Sequence, residues 1–177
     1  MSLIKELTAK ELQSLVDSSF SLNSIFDNIV YGLQDELRMP KFASFIHHRI
    51  SHSFPIDFAD AIQEFASSRG VRIKRGIVYA NDKIFNSAVE AISIGYNALL
   101  DFEKQLNSAI DICIDENSKS TEDFLRNLSV NVLNHYIHQM SRFSEGLMAY
   151  EEDNITSSFN KDFESYIIEY FEDSEED

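Results

Sequence analysis

Apolar residues return at steps of three, four or seven between Ile92 and Cys113: Ile92, Tyr96, Leu99, Leu106, Ile110 and Cys113. That spacing makes one face of an amphipathic helix. The same pattern gives three more long helices. A first helix is expected over 8–37, with Leu12, Leu15, Leu22, Phe26, Ile29 and Leu33 inside and Ser19 and Ser24 on or near the same stripe. Thr8 is its expected N-cap, with Glu11 three residues on as capping-box partner. Pro40 ends it, because helix is disfavoured just before a proline while proline suits a new first turn.

The second helix is expected over 41–68, with Phe42, Ile46, Ile50, Phe54, Phe58, Ala61 and Phe65 as its stripe. Pro55 lies in its middle and removes one backbone hydrogen bond, so a kink or short break is expected there. Gly70 reads as its C-cap. The stretch 71–84 has no helical stripe and reads as an extended crossover. The third helix opens at Phe85 or Asn86 and runs to about Ile114. The fourth covers 122–150, capped by Thr121 or Asp123, with Leu125, Leu128, Val132, Tyr136, Met140, Phe143 and Leu147 inside. A shorter fifth helix over 154–171 carries Phe159, Phe163, Ile167 and Tyr170. The expected organisation is all-α: a four-helix bundle over 1–153 with one long crossover, then a short helix and acidic tail over 154–177.

Composition narrows the class. Five Gly and two Pro in 177 residues give little turn punctuation, which favours long helices over many short strands. A net charge of −15 argues against nucleic acid, whose phosphates are held by Lys and Arg. The charge is uneven: 164–177 is strongly acidic, while Arg72, Lys74 and Arg75 form a small basic cluster. The single cysteine, Cys113, excludes an internal disulfide and any multi-cysteine zinc site, and its place on the apolar stripe reads as a small buried hydrophobe. No run reaches the roughly 18 apolar residues of a membrane span, and the N-terminus lacks a signal-peptide core, so no membrane and a cytoplasmic location are expected.

Three groups of residues could carry chemistry. Glu103 falls between Leu99 and Leu106 on the apolar face; it is either an inward acid of the metal-binding kind or the edge of a wide stripe reaching water. Asp57, Asp60 and Glu64 lie within about 60° of one another at helical spacing, as a metal-holding group or a solvated flank. His135 and His138 stand one turn apart, a spacing that can hold a metal, although His138 shares its side with polar Asn131, Asn134 and Ser141. His47, His48 and His52 cluster on the second helix and read as surface or subunit contact.

The run Ser67-Ser68-Arg69-Gly70-Val71-Arg72-Ile73 and the long loop after it resemble the end of the second helix and the crossover of ferritins. Ala88-Val89-Glu90-Ala91-Ile92 through Phe102-Glu103-Lys104-Gln105-Leu106-Asn107 resembles the ferritin third helix, and Asp123-Phe124-Leu125 the start of the fourth. Tyr31 sits where ferritins often carry a tyrosine. The resemblance spans about 12–147 and rests on pattern and loop length more than identity.

It implies a ferritin-like bundle. The family's di-iron centre takes a Glu from the first helix, a Glu-x-x-His pair from the second, a Glu from the third, and carboxylate or amide groups from the third and fourth. Only Glu103 matches. The other positions fall near Ser24 or Leu22, on Pro55 and Phe58, and near Val132 and Leu133. The related mini-ferritins carry an Asp-x-x-x-Glu six residues before the Gly, which Asp60 and Glu64 before Gly70 resemble; their first-helix histidine has no counterpart here.

The expected function is therefore ferritin-like iron binding and storage in a homo-oligomer, possibly a cage. The ferroxidase centre is not intact, and any ferroxidase activity is weak. Metal contacts are expected from Glu103, Asp57, Asp60, Glu64, His135 and His138. The alternative is a metal-free structural or interaction subunit, in which apolar groups close over Glu103. A third reading, a mini-ferritin type of site between subunits, expects His47 or His48 near Asp60.

Overall fold

The computed structural model describes residues 3–153, with side chains as far as Met148. All regular structure among the described residues is helical. Helix α1 is Glu6–Tyr31 and continues into a wider π turn, Gly32–Glu36. Helix α2 spans 40–68, α3 is Ala88–Asp115 and α4 spans 119–153. The fifth helix expected over 154–171 lies outside the described residues, and so does the tail. No described helix is long and apolar enough to cross a membrane.

Contacts at the helix ends fix the directions. Leu3 donates its N–H to the Arg69 carbonyl, so the start of α1 meets the end of α2. Thr8 meets Glu116 just past the end of α3, and Gly32 packs on Phe85 just before its start. Ring contacts Phe65–Phe124, Phe54–Tyr136 and Phe42–Phe143 run α2 against α4 in opposite order. Hence α1 and α4 point one way, α2 and α3 the other, and two hairpins are joined by the crossover 69–87.

That crossover is extended, as expected, and side chains of α1 lace it down. Gln13 donates to the Lys74 carbonyl and accepts from the Lys74 N–H, while Asp17 accepts from the Gly76 N–H at 2.9 Å. Ser24 donates to the Tyr79 carbonyl and Asn28 to that of Lys83, and Glu36 accepts from the Phe85 N–H. These polar positions share one face of α1, which gives a strand-free crossover backbone hydrogen-bond partners along its length. It also explains why Ser24 interrupts an apolar stripe.

The helix ends depart from expectation in instructive ways. Thr8 is not an N-cap; α1 starts at Glu6, and Thr8 lies buried inside its first turn. Its N–H and hydroxyl both donate to the Glu116 carboxylate, at 2.8 and 2.6 Å, so α1 is capped from another helix. A carboxylate at a helix N-terminus is favoured by the unpaired N–H groups and the helix dipole. The Thr8 hydroxyl bond is the main reason that Glu116 stays below the ordinary carboxylate range. Helix α3 opens at Ala88, later than expected, with Ser87 accepting from the Glu90 N–H and Glu90 from the Asn86 N–H, a near capping box. Helix α4 opens at Lys119, ahead of Thr121. Gly70 does end α2: at φ 76° it takes the left-handed position of a Schellman motif, with Gly70 N–H on Ser67 and Val71 N–H on Ala66.

Helix α2 buries Phe42, Ile46, Ile50, Phe54, Phe58, Ile62 and Ala66, all fully inaccessible and all four residues apart. In an ideal α-helix each four-residue step advances the face by about 40°, so such a repeat would wind off the core. Two π turns, His47–Ser51 and Ile56–Asp60, take up that drift. Ala61 and Phe65, expected inside, are only half-buried; Ile62 and Ala66 take their places.

Pro55 does not break the helix, which runs through it at φ −63°. Proline has no N–H for the Ser51 carbonyl one turn back. Asn23 of α1 supplies that bond instead, donating to the Ser51 carbonyl at 2.9 Å and to the Ser51 hydroxyl at 3.2 Å. The Ser51 hydroxyl in turn donates to Asp27. Removing the Asn23 amide leaves a buried acceptor unpaired, which costs about 1–3 kcal/mol. Asn23→Leu will show that loss in chemical denaturation. In a Pro55→Ala background, whose restored N–H can serve Ser51, the same substitution will cost clearly less; equal losses in both backgrounds would contradict this account.

Candidate functional site

The middle of the bundle, where a helical protein would place a buried metal centre, is filled by aromatic rings. Phe54 and Phe58 of α2 stack at 4.5 Å between centroids. Phe102 of α3 meets both edge-on, at 5.3 and 5.2 Å. Tyr136 of α4 closes the group, 5.2 Å from Phe54 and 6.3 Å from Phe58. Edge-to-face and offset contacts of this kind add about 0.5–1.5 kcal/mol per pair beyond area burial. Two turns along α3, a Cβ on Gly95 would lie 2.8 Å from the Phe26 ring, 2.9 Å from Met140 Cε and 3.0 Å from Ile29 Cδ1. The next layer is thus closed by α1 and α4.

The residues present do not fit a di-iron group. Phe58, which the ferritin resemblance aligns with the histidine position of α2, is one of the stacked rings and has no donor atom. Among the described residues, no group of three or more His, Cys, Asp and Glu is placed to hold a metal ion.

Glu103 is half-buried. The buried face of α3 keeps Ile92, Leu99, Leu106, Ile110 and Cys113 of the stripe read in the sequence and widens to Gly95, Phe102 and Ala109 on the side away from Tyr96. Glu103 and Tyr96 therefore fall together at its edge. Asp57 is half-buried and Asp60 and Glu64 are exposed, so the three form a flank of α2. Only Asp57 reaches inward, where the Tyr136 hydroxyl donates to it at 2.5 Å across to α4. A short O–H···O bond to a carboxylate is among the stronger neutral-to-charged contacts, and it gives Asp57 a partner without a metal. His135 and His138 are exposed, and His135 Nε2 lies 2.9 Å from the Gln139 amide nitrogen.

One polar group was not read from the sequence. Asn23 and Asp27 of α1 meet buried Ser51 of α2, and beside them opens a cleft of about 440 Å³ lined by Asp27, Val30, Tyr31, Gln34, Ser44 and His47. The His47 ring contacts His48 and His52 at 5.3 and 5.9 Å. The signal was Pro55 itself: a mid-helix proline frees the carbonyl four residues back, and an amide on a facing helix is its natural partner.

On the other side of α1, an apolar groove of about 240 Å³ runs between α1 and α3, lined among others by Leu22, Ile25, Ala98 and Phe102. It shares Ser21 and Ile25 with a second hollow against crossover residues Tyr79 to Asp82.

No protein-family model matches the chain, and no curated protein matches its sequence.

Burial, with the bond to Asp57 second, holds the Tyr136 phenol well above its ordinary value of 10. The folded state keeps this proton at pH values where the unfolded chain releases it. Stability that is present below about pH 10 is therefore lost as pH rises further. Tyr136→Phe will flatten this alkaline loss in denaturation curves measured on either side of pH 10. A variant whose alkaline limb matches the parent would contradict the buried, neutral phenol.

Proposed function

We propose that the chain is a ferritin-like four-helix bundle whose centre serves packing instead of metal chemistry, and that it acts as a structural or interaction subunit. The direction of the four helices and the single long crossover support the ferritin-like reading, since one long crossover marks that bundle class. The observation that carries the metal-free reading is the ring cluster of Phe54, Phe58, Phe102 and Tyr136 on the bundle axis. Di-iron bundles need inward carboxylates on all four helices, and here the inward positions are apolar or aromatic.

The interaction role draws on the surface. Ile77, Tyr79 and Ile84 of the crossover are 78, 80 and 72% exposed, an unusual cost for large apolar side chains on one short segment. Assembly with further copies belongs to the same proposal, and the acidic surface groups Asp60 and Glu64 remain the places where a loosely held cation would first meet the protein.

Aerobic incubation with ferrous iron, followed by size-exclusion chromatography with iron measured in each fraction, separates storage from interaction. The expected outcome is a protein peak free of iron. Iron travelling with a large assembly, and lost in Glu103→Ala or Asp60→Ala, would establish storage and overturn the metal-free reading.

A further inference from the structure

The facing sides of α1 and α2, near the turn that joins them, carry polar groups that the fold leaves unpaired. From α1 come Asp27, Tyr31 and Gln34, at steps of four and three. From α2, running the other way, come Ser44 and His47, with Ser51 one turn further on. Both walls widen here into π turns, Gly32–Glu36 and His47–Ser51, a local form frequent at functional sites. Between them lies the cleft of about 440 Å³, within the range of roughly 300–1,000 Å³ that takes small molecules.

The rest of α1 makes the contrast plain. On the crossover side Gln13, Asp17, Ser24, Asn28 and Glu36 all bond backbone groups between 74 and 85. In the cleft, the Tyr31 and Ser44 hydroxyls, the Gln34 amide and the His47 ring nitrogens meet no hydrogen-bond partner among the described residues. Asp27 is held from behind. Asn23 donates to the hydroxyl of wholly buried Ser51, which donates to one carboxylate oxygen of Asp27. The other oxygen has no partner among the described residues, so the relay positions the carboxylate without neutralising it.

Charge then selects the ligand. No Lys or Arg lines the cleft, and Asp27 is its one full charge on a chain of net charge −15. An anion is opposed there and a cation favoured. Among the described residues no three His, Cys, Asp or Glu are placed to hold a metal ion, and protein metal sites ordinarily use at least three such donors. An ammonium group asks for less. Its three N–H groups need separate acceptors, which the Asp27 carboxylate, the Gln34 amide oxygen and the Ser44 hydroxyl can supply. An aromatic ring such as that of Tyr31 also attracts a cation, and Val30 gives an aliphatic stem an apolar wall.

We propose that this cleft binds a small aliphatic primary amine, with its ammonium on Asp27 and its stem beside Val30 and Tyr31. The site lies outside the ring cluster, so it goes beyond the structural role and does not depend on it.

The test titrates 15N-labelled full-length protein with n-butylammonium chloride at constant ionic strength. n-Butanol and sodium butyrate serve as neutral and anionic matches of similar size. Saturable amide shifts are expected from the amine alone, confined to 27–34 and 44–51. Asp27→Asn keeps an oxygen for the Ser51 hydroxyl and should weaken binding about tenfold or more, the loss of a charge-assisted contact. Tyr31→Leu, at a position 65% exposed and outside the core, should weaken it about two- to fivefold. Nα-Acetyl-lysine methylamide, which carries the same head on a peptide unit, should bind less tightly than the free amine; tighter binding would assign the cleft to a partner's lysine and overturn the small-molecule reading. Equal shifts with n-butanol would make the cleft merely apolar and overturn the proposal. Shifts spread over the acidic surface and unchanged by both variants, or no saturable shift, would overturn it as well.

Discussion

Four aromatic side chains at the bundle axis set the terms for the other helices. Phe54 and Phe58 must both point at Phe102 and Tyr136, and they lie one four-residue step apart on α2. A straight α-helix would carry that line away from the core by about 40° per step. The π turns on either side of Pro55 hold it in place. Proline in turn frees the Ser51 carbonyl, and Asn23 meets that need from α1. Core packing, helix winding and a buried polar contact are thus successive consequences of one arrangement of rings. Full burial of a Phe side chain is worth about 1.5–3 kcal/mol, against a net stability for ordinary domains of about 5–15 kcal/mol.

How much of this was legible follows from where period and polarity agree. The four helices and the extended crossover were readable, because their apolar positions recur at helical spacing and 71–84 lacks any such stripe. The wider turns were misread. Leu128 and Leu133 of α4 are both buried, a step of five that a 3.6-residue period assigns instead to half-buried Val132. The four-residue repeat of α2 was likewise visible, but fitting an α-helix to it moved its last members to Ala61 and Phe65. Caps that act at long range could not be read at all: nothing local to Thr8 announces Glu116, 108 residues away. The Ser87–Glu90 cap, by contrast, stood in plain view as Ser-x-x-Glu.

The candidate site was the least legible part, because spacing locates a face without telling its centre from its edge. Glu103 fits the stripe of α3, yet the buried face widens away from it, toward Phe102, and leaves it at the edge. Asp57 shows the converse. It stands beside a solvated acidic flank in the sequence, while its bond from Tyr136 ties α2 to α4 in the fold. A carboxylate that already has a buried phenol as partner has less call for a metal ion than one left unpaired.

The central claim is that the rings close the bundle axis as a packed core, and Phe58→Ala tests it most directly. Phe58 is wholly inaccessible and touches Phe54, Phe102 and Tyr136. Its free energy of unfolding, compared with the parent by chemical denaturation, should fall by about 3–5 kcal/mol, the loss typical of a large ring removed from a close-packed interior. A loss under about 1 kcal/mol would mean that the axis is loosely filled and open to water, and the packed-centre account would then be wrong.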